Sequence, residues 1–389
     1  MMNPYEGIDW NSALRVASSS HVHICNQKDL ENGYKYGLRH IPISNYYPSA
    51  PYDESTRPSD FRLRQHWPAK RTDGSTIEPP INWNDIITWQ EELGEAARST
   101  LPFTEGGPAF SRIPEDIILS PNAEHHGFTN SYAHICSPGS SFISGNIDPG
   151  GEKYRLAAHG FVIGFGGTWQ ESFEDMLTHL KYPDAGGITI NHPTWFSQLT
   201  DDQVFEMLDF DNRVLGIEVY NDLSGRRNWF EDPEFVAPSE LEQGFSLNMW
   251  DRILTSGRRC WGFCVPDHSV EKGADWNGRN ILLVPAFTEH DCLRAYRHGQ
   301  FYGCLKDSGL TLRDFSATES SVSVTTDRPA TIKFITEAGD VKEIYGETAM
   351  YELPKSKGAP DPVFVRVEAK DDTGERIFLQ PVMYKNIAQ

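Results

Sequence analysis

Short apolar runs alternate with longer segments of helical periodicity over roughly the first 305 residues. Runs of this length that are apolar at most positions are typical of strands buried in a parallel sheet. The predicted strands are HIPIS (40–44), DIILS (116–120), FVIGF (161–165), GITIN (187–191), VLGIEVY (214–220) and CWGFCV (260–265), and the predicted helices cover 83–99, 171–180, 200–209 and 246–257. This alternation is the pattern of βα units and predicts an α/β fold.

The pattern changes after about residue 305. Four segments then alternate apolar and polar residues with the period of a half-buried strand. EAGD and DDTGE between them are hairpin turn signals. The segments are 320–327, 330–340, 363–375 and 376–384. We therefore predict two domains, an α/β domain over 1–305 and a small all-β, sandwich-like domain over 306–389.

An irregular stretch rich in Pro, Asp, Arg and Ser lies between about Pro48 and Pro80. Long irregular stretches inside compact domains are usually functional or mobile. Two interpretations are open: a lid over a site, or a plain surface insertion.

Composition narrows the classes of partner. The formal net charge is -20 and the sequence pI is near 5.0, which argues against binding nucleic acid or an anionic membrane surface. No stretch is long and apolar enough to span a bilayer, and the N-terminal residues lack the pattern of a signal peptide. The six cysteines contain no CxxC pair, so we expect free thiols and a cytoplasmic location. A small-molecule substrate, even a phosphorylated one, stays compatible with this charge because a bound cation reverses the local field.

Two histidines near the N-terminus are the first candidates for metal ligands. His21 and His23 are two residues apart, and on an extended strand such residues point to the same side, where both imidazoles can reach one cation. Taken alone, this HxH pattern is equally compatible with two ordinary surface histidines.

Further polar residues follow the predicted strands, all at the same end. Sites of α/β sheets and barrels assemble where strands end. Imidazole and carboxylate ligands in this mixture suit zinc, manganese or iron better than calcium. The residues in this position are Glu124, His134, His192, Glu218, Asn221, Asp267 and His268.

The ordered series HVH, SNYY, NAE, SYAHIC, NHP, EVYN and PDH resembles the PHP (polymerase and histidinol phosphatase) family. The segments MWDRILTSGRRCWGFCVPDHS and GRNILLVPAFTEHDCLRAYRHGQFYGCLKDSG are similar to the metallohydrolase branch named for the carbaryl hydrolases. The resemblance implies a distorted (β/α)7 barrel of the TIM-like kind, followed by a small β-domain. It also implies the metal ligands His21, His23, Glu124, His134, His192, Asp267 and His268.

Two departures from the family pattern affect this implied site. Asn45 and Tyr46 stand where the family has an aspartate and a histidine, and Asp267 and His268 are adjacent where the family spaces them by one residue. Ser269 therefore competes with His268 for the last ligand position. We expect one or two divalent ions (Zn, Mn or Fe) per chain rather than three, and His126 or Tyr46 as the catalytic proton carrier, with His125 as an alternative.

Three functions remain open at this level. The first is a phosphoesterase that acts on a small molecule through a metal-activated water. The second is hydrolysis of a carbamate, ester or glycosidic bond, with a carbohydrate-like substrate among the possibilities. The third is a binding protein whose catalytic site has decayed, which the replacements at Asn45 and Tyr46 favour and the seven remaining candidate ligands oppose. The sequence does not determine the oligomeric state.

Overall fold

The computed structural model describes residues 1–24, 26–44, 69–71, 76–77, 110, 112–125, 133–140, 161–163, 169–194, 199–222, 244–272, 277–305, 309–337, 341–354 and 362–385. The helices in these ranges are α1 (Gln27–Lys35), α2 (Trp169–Thr178), α3 (Asp201–Phe210), α4 (Leu247–Thr255) and α5 (Glu289–His298), with a 3-10 turn at His268–Lys272. None of the described helices has the length and apolar character needed to cross a bilayer.

Three of the predicted helices correspond to α2, α3 and α4, and the predicted helix over 83–99 lies outside the described residues. Helix α3 begins with a reciprocal capping box between Thr200 and Gln203, which satisfies two backbone donors of its first turn. Ser246 occupies the N-cap position of α4 but makes no capping hydrogen bond there. Its Oγ instead lies 2.8 Å from Oγ1 of Thr194.

The described strands of the first 305 residues include those predicted and several short additions. They are β1 (Leu14–Ser18), β2 (His40–Pro42), β3 (Ala69–Arg71), β4 (Thr76–Ile77), β5 (Ile118–Ser120), β6 (Glu124–His125), β7 (His134–Cys136), β8 (Phe161–Ile163), β9 (Ile188–Asn191), β10 (Val214–Asn221), β11 (Trp261–Val265), β12 (Arg279–Val284) and β13 (Phe301–Leu305). Strands β3 and β4 fall inside the stretch from Pro48 to Pro80.

The remaining strands are β14 (Leu312–Ala317), β15 (Ser321–Ile335), β16 (Val341–Glu352), β17 (Phe364–Lys370), β18 (Arg376–Leu379) and β19 (Val382–Met383). Two strands predicted over 320–327 and 330–340 form one strand, β15. Pro329 lies inside it, at the position where the pairing with β16 shifts register between Thr325 and Ala330. A proline cannot donate a ladder hydrogen bond, so the interruption read from the sequence becomes an irregularity within one strand.

The strands form three sheets. The largest has eleven strands in the order β14-β15-β17-β18-β13-β12-β1-β2-β5, with β16 added on β15 and β19 on β17. The second has the order β11-β10-β9-β7-β6, and the third has the order β4-β3-β8. The molecule is therefore a mixed α/β protein with large sheets and few helices in its described part, and those strands do not trace a closed (β/α)7 barrel.

The predicted boundary at residue 305 coincides with the end of β13. The largest sheet nevertheless continues across it, because β13 pairs antiparallel with β12 on one side and with β18 on the other. One apolar cluster fills the space between the second sheet and α2, α3 and α4, and includes the buried rings of Phe173 and Trp250. A second cluster, which includes Phe334, lies under the C-terminal strands.

Candidate metal centre

The segment His21–His23 is held in an extended conformation by the two larger sheets. Val22 forms a parallel bridge with Asp267, in which the Asp267 N–H donates to the His21 carbonyl and the His23 N–H donates to the Asp267 carbonyl. On the other side, the Val22 N–H donates to Oγ of Ser44 at 2.8 Å. Because the segment is extended, both imidazoles point to one side, as the HxH spacing predicts.

Four side chains meet on that side and form the first ligand group: His21, His23, Glu124 and Asp267. All four are buried. Nε2 of His21 and Nε2 of His23 are 3.2 Å apart. Oε2 of Glu124 lies 3.4 and 3.1 Å from these two nitrogens, and Oδ1 of Asp267 lies 3.2 and 3.4 Å from them.

These separations are those of ligands around one cation. Four ligands at zinc-like bond lengths of about 2.0–2.1 Å in a tetrahedron are about 3.3–3.4 Å from each other. Oδ1 of Asp267 accepts no hydrogen bond from the described residues, although it is buried, and a buried polar atom normally has a partner. The first ligand group is therefore able to hold a divalent cation.

A second ligand group shares Glu124 with the first and adds His134 and His192. Oε1 of Glu124 lies 2.9 Å from Nδ1 of His134 and 3.6 Å from Nε2 of His192. Glu124 thus directs one oxygen to each group. The pairing of β6 with β7 and of β7 with β9 brings these three residues together.

Glu218 and Asn221, at the end of β10, orient the ligands. Nδ1 of His21 donates to Oε1 of Glu218 at 2.7 Å, so that Nε2 faces the cluster. Oε2 of Glu218 accepts from the His192 N–H at 2.8 Å and from Nδ2 of Asn221 at 2.9 Å. The same Asn221 amide donates to Oδ2 of Asp267 at 3.0 Å. Such outer hydrogen bonds fix the ring orientation and tautomer of metal-binding histidines.

The backbone is strained at two of the candidate ligands. His192 has φ of 25° and Asp267 has φ of 54°, and they are the non-glycine residues with positive φ in the described part of the chain. A positive φ at a non-glycine residue costs free energy, and it persists where surrounding contacts impose that backbone conformation. Here the hydrogen bond that the His192 N–H donates to Glu218 and the one that Asp267 accepts from Asn221 supply those contacts.

The buried charges alter proton binding within the cluster. Burial opposes protonation of His23, but Asp267 and Glu124 outweigh it and raise its pKa to about 9. Burial likewise opposes protonation of His21, and Asp267 leads the charges that hold its pKa well above the ordinary value. Burial also opposes ionisation of Asp267, but His21 and His23 keep the pKa of this carboxyl low. The carboxylates therefore favour protonation of these imidazoles when no cation is bound, and a divalent cation would compete with the protons.

The other predicted site residues are placed differently. The His268 ring stacks on His23 with 3.5 Å between the ring centroids, and His268 belongs to neither ligand group. His125 is buried against Ser137, and burial lowers its pKa to about 3, which does not suit a proton carrier at neutral pH. His126, Tyr46 and Asn45 lie outside the described residues.

Three residues near the cluster were not predicted as site residues. Glu218 and Asn221 were marked only as polar residues after a strand and as the ends of the EVYN motif. Asn122 was marked only as the first residue of the NAE motif that ends at Glu124. Its Nδ2 donates to the carbonyls of Ser20 and Pro42, and its Oδ1 accepts from the Ser137 N–H. Asn122 therefore joins the segments that lead to the two ligand groups.

Comparisons with known proteins give little beyond this geometry. No family model matches the chain, and no curated protein matches it. One solved structure is similar over 96% of each chain, with 10% sequence identity and a TM-score of 0.40. It is a two-domain protein from Bacteroides vulgatus, described as containing a predicted PHP-like metal-dependent phosphoesterase. This likeness is too distant to support a functional argument, which therefore depends on the cluster itself.

Proposed function

We propose that this protein is a metal-dependent hydrolase, and specifically a phosphoesterase that acts on a small molecule. The observation that carries the proposal is the division of Glu124 between two groups of ligands that are buried except for the partly exposed His134. Two adjacent divalent cations activate water and stabilise both the attacking and the leaving oxygen of a phosphoryl displacement. The mixture of imidazoles and carboxylates suits zinc, manganese or iron.

The chain's own residues have separate tasks in this proposal. Glu124 is the shared ligand, His21, His23 and Asp267 complete the first group, and the second group has only three protein ligands. A group with three protein ligands leaves a position for water or substrate. We propose His126 or Tyr46 as the proton carrier.

We also propose that the two larger sheets are parts of one distorted barrel of the PHP type, with the metallohydrolase branch named for the carbaryl hydrolases as its relative. The bridge between Val22 and Asp267 supports this arrangement, because it joins the segment after β1 to the segment after β11. The Glu124 N–H donates to the carbonyl of Ser44 and so joins β6 to the segment that follows β2.

The test measures metal content and activity together. The purified protein is loaded with Zn²⁺, Mn²⁺ or Fe²⁺, and its bound metal is counted by elemental analysis. Phosphate release is then measured on chromogenic phosphomonoesters and phosphodiesters. We expect His21→Ala and His192→Ala to lower metal occupancy and to reduce turnover by at least 100-fold. His268→Gln is the matched control, because His268 lies beside the cluster but outside both groups.

Absence of bound metal in the wild-type protein, or unchanged metal content in both alanine variants, would refute the metal centre. Metal bound without release of phosphate from any phosphoester would instead favour a carbamate, ester or glycosidic bond as the substrate linkage.

A further inference from the structure

A cavity of about 720 Å³ opens far from the metal cluster. Its lining carries four basic side chains, from α5 and from the residue pair before β11, together with a buried tryptophan ring and one aspartate. These residues are Arg259, Arg294, Arg297, His298, Trp261 and Asp184. The volume is in the range of about 300–1,000 Å³ that is typical of small-molecule sites. We call this cavity the arginine pocket.

The arginine pocket and the metal cluster lie at opposite ends of the same strands. Trp261, the first residue of β11, lines the pocket, and Asp267, just beyond the end of β11, belongs to the cluster. Six residues of extended chain span about 20 Å. Asn212 lines the pocket just before β10 begins, and Asn221 contacts the cluster where β10 ends. A molecule in the pocket is therefore out of reach of the metal ligands.

Two of the arginines place fixed positive charge in the wall. Arg297 donates from Nε to the carbonyl of Gly186 at 2.6 Å. Arg259 is buried and donates from one nitrogen to the carbonyls of Asn212 and Val214 at 2.7 and 2.9 Å. These acceptors are neutral, so the hydrogen bonds themselves hold the guanidinium groups in position without neutralising them, although the Asp211 carboxylate attracts both groups.

Two other basic side chains at the pocket are available to a ligand. Arg294 is exposed on α5 and attracts Asp184 electrostatically. His298 follows one turn later. Burial, then Arg294 and Arg297, lower the pKa of His298, while Asp184 opposes this shift, as is expected where several basic groups lie close together. An anion would relieve the repulsion between these groups.

The helix dipole explains only some of the basic residues in the arginine pocket. Basic residues near a helix C-terminus are stabilised by the partial negative charge there. This effect accounts for Arg297 and His298, which lie at the end of α5. Arg259 is not on α5, and the dipole does not explain why it shares a cavity with the others. The acidic residues of the lining balance this charge only in part: Asp184 attracts Arg294, Arg297 and His298 but is paired at 2.9 Å with His290, and Glu6 is exposed.

We propose that the arginine pocket binds a small phosphorylated anion that is distinct from the molecule reacting at the metal cluster. Guanidinium groups match the geometry of phosphate oxygens and bind them through charge-assisted hydrogen bonds. The chain as a whole carries a formal charge of -20, so a pocket with three arginines differs in its local charge from the acidic chain around it. Arg294 and His298 contact the phosphate, while Arg259 and Arg297 supply the fixed charge behind them.

The experiment is calorimetric titration of the full chain with inorganic phosphate after treatment with a chelator. We expect saturable binding of phosphate by the wild-type protein. Arg294→Gln is expected to weaken it about tenfold or more, because a hydrogen bond to a charged group contributes about 1.5–3 kcal/mol. His298→Gln is expected to weaken it to a smaller extent. The matched control is Arg313→Gln, an exposed arginine on β14, which is expected to leave the affinity unchanged.

His192→Ala separates the arginine pocket from the metal cluster. We expect this variant to bind phosphate as the wild-type protein does. Phosphate binding that His192→Ala removes and Arg294→Gln leaves intact would place the anion at the cluster and overturn the proposal. An absence of saturable binding by the wild-type protein at millimolar phosphate would overturn it as well.

Discussion

Glu218 shows how one side chain determines the geometry of several others. It accepts hydrogen bonds from the His21 ring, from the backbone of His192 and from Asn221. These donors come from three separate segments, and one of them, His192, has a strained backbone. Glu218 is itself buried, so its charge is balanced by these donors rather than by water. The cluster is therefore ordered by a residue that belongs to neither ligand group.

We predict that Glu218→Gln lowers metal affinity by about 10- to 100-fold, as the loss of an outer hydrogen-bond partner does in other metal sites. The glutamine has a single acceptor oxygen and cannot serve all three donors. Affinity is measured by competition with a chromophoric chelator. Glu206→Gln, on the exposed face of α3, controls for the loss of one negative charge. Equal affinities of Glu218→Gln and the wild-type protein would contradict this role.

Single residues can be singled out from the sequence where a local pattern marks them. The HxH spacing and the positions after strands mark all six residues that the structure brings together in the two candidate ligand groups. His268 was included because of the family pattern, but its ring stacks on His23. The role of Glu218 was not predictable, because its contact with His21 spans 197 residues of sequence and no local pattern records a contact of that range.

At the scale of elements, β9, β10 and β11 run parallel. β9 and β11 lead to candidate ligands, and β10 carries Glu218 and Asn221, which orient them. Close packing between β10 and β11 depends on Gly216, which has φ of 159°. A Cβ at this position would lie 1.9 Å from the carbonyl oxygen of Trp261. No side chain can be placed there without moving β11, and Asp267 would move with it.

We predict that Gly216→Ala lowers the free energy of unfolding by about 1–3 kcal/mol, the usual cost of forcing extra atoms into a packed interior. Metal affinity is expected to fall with it, because the strand that leads to Asp267 is displaced. Gly346→Ala is the matched control. Gly346 has a similar φ of 157°, but a Cβ there would meet nothing closer than 3.6 Å. Denaturant unfolding of the two variants measures these losses. Equal losses of stability would show that the backbone φ, rather than the contact with Trp261, causes the destabilisation.

Apolar runs were sufficient to predict β9, β10 and β11, since all their residues are buried. Strand β16 was missed, because most of its residues are exposed and it carries charged side chains on both faces. Its partner β15 fixes it as a strand through a long antiparallel register. The arrangement of the strands in three sheets was not predictable either, because strand order depends on contacts between distant segments.

At the scale of the whole molecule, a buried ionic network joins the C-terminal strands to α4. Arg366 on β17 donates to both carboxylate oxygens of Asp251, at 2.5 and 2.8 Å, and to Oε1 of Glu368 at 2.5 Å. Glu368 also accepts from Arg376. Burial opposes ionisation of Glu368, but Arg366 and Arg376 outweigh it and hold the pKa of this carboxyl below its ordinary value.

This network predicts a pH dependence of stability. The pKa of Glu368 is lower in the folded than in the unfolded protein, so its contribution is complete above the ordinary value of 4.5 and is lost as pH falls below that value. The difference in unfolding free energy between the wild-type protein and Glu368→Gln should be constant from pH 7 to about pH 5 and shrink towards pH 3. Urea unfolding at a series of pH values measures it, with Glu347→Gln on β16 as the charge control. A difference that is the same at pH 3 and pH 7 would contradict the prediction.

The pairing of β1 with β12 has a consequence for biosynthesis. Leu14 lies opposite Val284, and the Met2 N–H donates to the carbonyl of Met383. A ribosome releases β1 long before β12 exists, so the edge of β1 that pairs with β12 must stay unpaired until most of the polypeptide has been translated. Its exposed edge is open to wrong partners during that interval, and chaperone binding to the nascent N-terminal segment would protect it until β12 arrives.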